Sequence, residues 1–93
     1  MIIVKIHDGG KVLAICDKSL IGKKFEEKGL CLDVNENFYG GEAMDEKRIL
    51  NFVDSAKTIN IVGKESIKFA LNKKIISKGH IIEINKVPHA QVF

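Results

Sequence analysis

The stretch MIIVKIHDGGKVLAICD constrains the fold of this chain more than any other. Two runs rich in β-branched residues flank His7-Asp8-Gly9-Gly10, whose Asp-Gly and Gly-Gly steps accept the positive φ of a tight reversal. Residues 2–17 therefore read as a β-hairpin. The alternation of apolar and polar residues is imperfect, as expected of strands covered on both faces near their middles.

Downstream, SLIGKKFEEKG is punctuated by Gly22 and Gly29 and reads as a loop with at most one helical turn. LCLDV alternates as a third strand, and NENFYGGEAM follows as a loop. DEKRILNFVDSAK places Ile49, Leu50, Phe52, Val53 and Ala56 at helical spacing, with Asp45 as its N-cap. TINIV is a short strand. GKESIKFALNKKI predicts a second helix with Ile67, Ala70, Leu71 and Ile75 inward and Lys73 and Lys74 at its negative end. GHIIEIN predicts another strand, and segment 58–85 reads as a βαβ unit with a right-handed crossover. Pro88 has no N–H to donate, which confines VPHAQVF to a sheet edge or an extended tail. The order β-β-β-α-β-α-β predicts a mixed α/β (α+β) sheet with two helices, in a single domain spanning 1–93.

Composition excludes several function classes. With 45% apolar and 29% charged residues the chain has a globular balance. Its longest apolar run falls far short of the roughly 20 residues of a membrane span. The N-terminus lacks the basic region and cleavage site of a signal peptide, so a cytoplasmic location is expected. Cys16 and Cys31 show no CxxC pairing and read as reduced thiols. His7, His80 and His89 have no HxxxH or HxH spacing, so neither a metal nor a cofactor is implied. Charge is unevenly distributed: residues 1–46 carry six lysines against nine acids, and residues 47–93 carry eight lysines and one arginine against three. A basic C-terminal half suits an anionic partner such as RNA, through phosphate attraction rather than arginine-mediated base reading.

Three segments carry candidate chemistry. NIVGKES has Gly63-Lys64 followed two residues on by Ser66, but the position five before Gly63 is Thr58, so it is not a phosphate-binding loop of the Walker type. A strand feeding a helix at Gly63 would still leave backbone N–H groups for one phosphate beside Lys64. In NFYGGE, Phe38 and Tyr39 beside Gly40 and Gly41 suit either base stacking or a hydrophobic plug over the sheet end, with Glu42 as a backbone cap. His89 titrates near neutrality, is stiffened by Pro88, and shares a strand face with Gln91. No nucleophile lies in a catalytic context, which leaves His89 as the one candidate acid or base.

The FYGGE stretch at 38–42, the A-x-T-x-N-x-V-G run from Ala56 to Gly63 and V-P-H-A-Q-V at 87–92 together resemble a family of small archaeal proteins, domain of unknown function 424. The resemblance covers essentially the whole chain. It implies no established activity, and the family's genomic setting implies a link to translation or ribosome assembly. It draws attention to Phe38, Tyr39, Gly40, Gly41, Glu42, Asn60, Gly63, Pro88, His89 and Gln91. If the FYGGE loop meets the last strand, then Tyr39, Glu42, Asn60, His89 and Gln91 form one polar-aromatic cluster. The leading expectation is a non-catalytic module that binds RNA or a ribonucleoprotein, with ribosomes or translation factors as partners and no membrane. The alternatives are a small enzyme using His89 near the FYGGE loop, and an adaptor that pairs the C-terminal edge strand with another protein.

Overall fold

The computed structural model describes residues 1–93. Its centre is a six-stranded mixed sheet in the order β5 (Glu42–Ala43), β1 (Ile2–His7), β2 (Val12–Asp17), β6 (Thr58–Val62), β8 (Val87–Val92) and β7 (Ile82–Ile84). Strands β1 (Ile2–His7) and β2 (Val12–Asp17) form the N-terminal hairpin, with Ile2 opposite Asp17 and His7 opposite Val12. The reversal places Asp8, Gly9 and Gly10 at φ 51, 62 and 97, the positive values that the DGG sequence tolerates. Strand β6 (Thr58–Val62) lies parallel to β2, and β8 (Val87–Val92) lies antiparallel to β6.

Two layers cover the sheet. Helices α2 (Glu46–Val53) and α3 (Lys64–Asn72) pack on the face that presents Val4, Leu13, Ile15, Ile59, Ile61 and Ala90, and add Ile49, Ile67, Phe69 and Ala70 to that core. Burying each large apolar side chain there contributes about 1.5–3 kcal/mol. The opposite face presents Ala14, Cys16, Val62 and Ile84. A separate hairpin of β3 (Lys24–Glu27) and β4 (Leu30–Asp33), together with the single turn α1 (Glu36–Tyr39), closes over it with Leu32, Val34 and Tyr39.

Several expectations are corrected. Lys24–Glu27 is a strand rather than a loop, because Lys28 and Gly29 turn with positive φ (49 and 83) and fold it onto Leu30–Asp33. NENFY forms a helical turn, capped where the Asn35 side chain accepts from the Phe38 N–H at 2.8 Å. The expected βαβ unit is split: β7 (Ile82–Ile84) runs parallel to β6 but is separated from it by β8, with which it forms a hairpin. Helix α3 stops at Asn72, since Lys74 adopts φ 60.

The last strand is interior, not an edge, despite Pro88. Its position explains this. The Gly63 N–H donates to the Pro88 carbonyl at 2.9 Å, while the Gly63 carbonyl accepts from the Ile67 N–H in α3 at 2.9 Å. The proline therefore lies where its neighbouring strand has already turned into a helix, and no carbonyl is left waiting for the missing donor.

The second glycine of the FYGG stretch is set by packing: a Cβ on Gly41 would run into the carbonyl of Val4 on β1. Gly41→Ala is expected to cost about 1–3 kcal/mol, seen as a lower urea midpoint at unchanged slope. At Gly79 a Cβ meets only the Ser77 hydroxyl at 3.9 Å, and Gly79→Ala should stay within about 0.5 kcal/mol of the parent.

Candidate functional site

The residues singled out by sequence fall into three places. The first is the junction between β6 and α3. Gly63, at φ 109, is the N-cap of α3 but has no side chain to cap with. Asp17, at the end of β2, supplies the carboxylate instead. It accepts from the Glu65 N–H at 3.1 Å, the Ser66 N–H at 2.8 Å and the Ser66 hydroxyl at 2.7 Å. The N–H groups expected to await a phosphate beside Lys64 are thus taken by the protein's own carboxylate, which also favours the positive end of the helix. A Cβ on Gly63 would collide with that carboxylate, so this glycine makes room for Asp17 rather than for a ligand.

The second place is the FYGGE segment. Phe38 stacks on His7 with ring centroids 4.7 Å apart, and the His7 Nε2 lies 2.9 Å from the Phe38 carbonyl oxygen. Tyr39 meets Phe38 edge-on and is only 8% exposed. Burial, with a smaller contribution from Cys16, pushes its phenol up to about 12. These rings are a plug over the sheet, not an open stacking platform. Gly40 follows α1 and donates to the Glu36 carbonyl at 2.7 Å. Glu42 caps no backbone group: it starts β5 (Glu42–Ala43), opposite Val4, and pairs with Arg48 of α2 at 2.9 Å.

The third place is the sheet face beneath Tyr39. Asn60 and Gln91 are register partners on β6 and β8, and His89 lies opposite Val62. All three share the sheet face opposite α2 and α3, whose apolar cluster includes Val62 and Tyr39. Tyr39, Asn60, His89 and Gln91 thus lie on the same side of the sheet, while β5 turns Glu42 to the helix side. His89 Nε2 is buried and has no hydrogen-bond partner, and desolvation lowers its pKa. His89 borders none of the surface clefts.

Sequence reasoning missed a groove beside Gly63 and Pro88. Two adjoining clefts run between α3 and the β7–β8 hairpin. The upper, about 340 Å³, is lined by Asp17, Ser19, Leu20, Lys64, Asn85, Lys86, Val87 and Pro88. The lower, about 290 Å³, adds Ile67, Lys68, Leu71, Asn72, Ile81 and Glu83, and shares Lys64 and Pro88 with the first. Lys64 and Lys68 stand one turn apart on α3, and Lys86 faces the groove from the hairpin turn. All three are exposed and none has an ion-pair partner. The signal was present as Lys64-x-x-x-Lys68, but its meaning depends on where Lys86 returns.

Comparison with known proteins agrees with the motifs. The model of a family described as a protein of unknown function, DUF424, matches residues 4–93, and the chain belongs to that family. The fold is similar to the crystal structure of an uncharacterized conserved protein from Methanopyrus kandleri, with a TM-score of 0.80 and 29% identity. That similarity covers 98% of this chain and 89% of the other. No curated protein matches. No helix is long and apolar enough to cross a membrane.

Removing the Asp17 carboxylate leaves two N–H groups and a buried hydroxyl without their acceptor. Asp17→Ala is expected to lower unfolding stability by about 2 kcal/mol, measured by urea titration. His89 gives a pH signature. Its folded-state pKa lies below the ordinary 6.5, so between those two values the unfolded chain binds more protons. Stability is then full above the ordinary value and is lost as pH falls through the window toward the folded-state pKa. Urea midpoints at about pH 7.5 and about pH 5 should differ less in His89→Gln than in the parent.

Proposed function

We propose that this DUF424 protein is a non-catalytic binding module for RNA, working in translation or ribosome assembly, with its contact surface in the groove between α3 and the β7–β8 hairpin. The observation that carries this reading is the set of three exposed lysines, Lys64, Lys68 and Lys86, that line the groove without ion-pair partners. Phosphate groups are the ligand chemistry that such a surface attracts, and the gain comes from releasing counterions from the polyanion. The single arginine, Arg48, is held by Glu42, which leaves phosphate contact rather than bidentate base reading as the mode of binding.

The adaptor alternative loses its support, because β8 is paired on both sides and offers no free edge. The FYGGE segment enters this reading as the plug that orders the opposite face, not as a base-stacking loop.

The test is RNA binding by fluorescence anisotropy across roughly 50–200 mM salt. Affinity should fall steeply over that range. Replacing Lys64, Lys68 and Lys86 together by Gln should reduce the log–log salt slope by about two. Lys73→Gln, which removes a lysine paired with Glu46 at 3.6 Å, should change the slope far less. Binding that is absent, or that the triple substitution leaves unchanged, would overturn the assignment.

A further inference from the structure

The groove is two cavities joined at a waist, and that shape selects among nucleic acids. Resting on the RNA-binding reading above, we infer that the ligand is a single-stranded segment, held as two successive unstacked nucleotides with their linking phosphate at Lys64. Lys64 and Pro88 are the residues common to both cavities, so they define the waist. The Pro88 ring is buried and fixed between β7 and the end of β6, which makes it a rigid apolar floor there. Lys64 rises beside it from the first turn of α3.

The two cavities differ in character. The upper one offers the Ser19 hydroxyl and the Asn85 carboxamide, neither engaged in a side-chain hydrogen bond, together with Lys86. That suits a ribose and the polar edge of a base. The lower one is lined by Ile67, Leu71 and Ile81, on which the face of a base can lie, with Lys68 at its margin. Glu83, the acid without an ion pair in the lower cavity, disfavours a phosphate deep in that half and pushes it toward the waist.

Volumes of about 340 and 290 Å³ are at the lower end of what small-ligand pockets provide, the scale of single nucleotides rather than a helix. A duplex presents convex ridges of phosphate and keeps its bases stacked inside, so it reaches the lysines but not the cavities. A flexible single strand can turn its bases into them.

The test compares a labelled oligouridine with a duplex of equal phosphate count, using the wild-type protein and two cavity-filling variants that leave the charge unchanged. Leu71→Trp fills the lower cavity and Ser19→Trp the upper, and thermal melts confirm that each variant is folded. The expected result is preference for the single strand and a loss of roughly tenfold in its affinity in each folded variant, with the salt slope retained. Duplex and single strand bound equally well, or single-strand affinity indifferent to whichever tryptophan variant folds, would overturn the single-strand inference while leaving the groove as an RNA site. Failure of both RNAs to bind would remove the RNA assignment as well.

Discussion

Much of this structure depends on the backbone of one residue, Gly63. Its N–H holds β8 to the end of β6 through the Pro88 carbonyl, and its own carbonyl starts the hydrogen bonding of α3. Its bare Cα leaves the space into which the Asp17 carboxylate reaches. At φ 109 a side chain would be strained even without that neighbour. One position thus couples the end of the N-terminal hairpin, the central parallel strand, the second long helix and the C-terminal strand. Elements so joined cannot shift separately, which fixes where α3 lies along the sheet and so forms one wall of the groove.

How legible this was from sequence depended on whether the deciding interaction was local. The first hairpin was readable because DGG and the β-branched runs on either side state it within 16 residues. Helix α2 was readable because Asp45 caps it, accepting from the Arg48 N–H at 2.9 Å, within three residues. The β3 strand was not, since KFEE has little apolar pattern and is held by Phe25 packing into the second cluster and by Glu27 accepting from the Asn85 N–H at 2.7 Å. Those partners lie up to 58 residues away. The rule that proline avoids interior strands failed at Pro88 for the same reason. What matters is the state of the facing carbonyl, and that was decided by Gly63 entering a helix.

The site residues divide in a similar way. That His89 and Gln91 share a face was legible from strand alternation, because period-two geometry carries that information; that Asn60 and Tyr39 lie on the same side was not, because it depends on where β6 and α1 are placed. Their chemistry was not legible. Tyr39 and Cys16 lie in the same cluster, and burial pushes both up to about 12, Cys16 with an added contribution from Asp17. This face is therefore an apolar seal under the β3–β4 hairpin, with one imidazole caught in it. Burial disfavours the charged form of His89 there, because it would leave an ion poorly solvated. A histidine with those surroundings acts on stability before it acts on any ligand.

Of the acids around the groove, only Glu83 is left without a partner. Asp17, the carboxylate lining the upper cleft, is surrounded by three donors and the positive end of α3, so little of its charge faces outward. Glu65 is paired with the Met1 amino group at 2.8 Å, and Glu27 is bound to the hairpin turn. The lysines have no comparable partners. Exposed ion pairs are worth little to stability, so leaving Lys64, Lys68 and Lys86 unpaired costs the fold almost nothing. For a phosphate ligand the same arrangement matters more, because no internal ion pair has to break before it binds. Net charge alone would not have located this surface. Asp17 answers the helix dipole from inside the fold, and the attraction left at the mouth of the groove belongs to the lysine side chains.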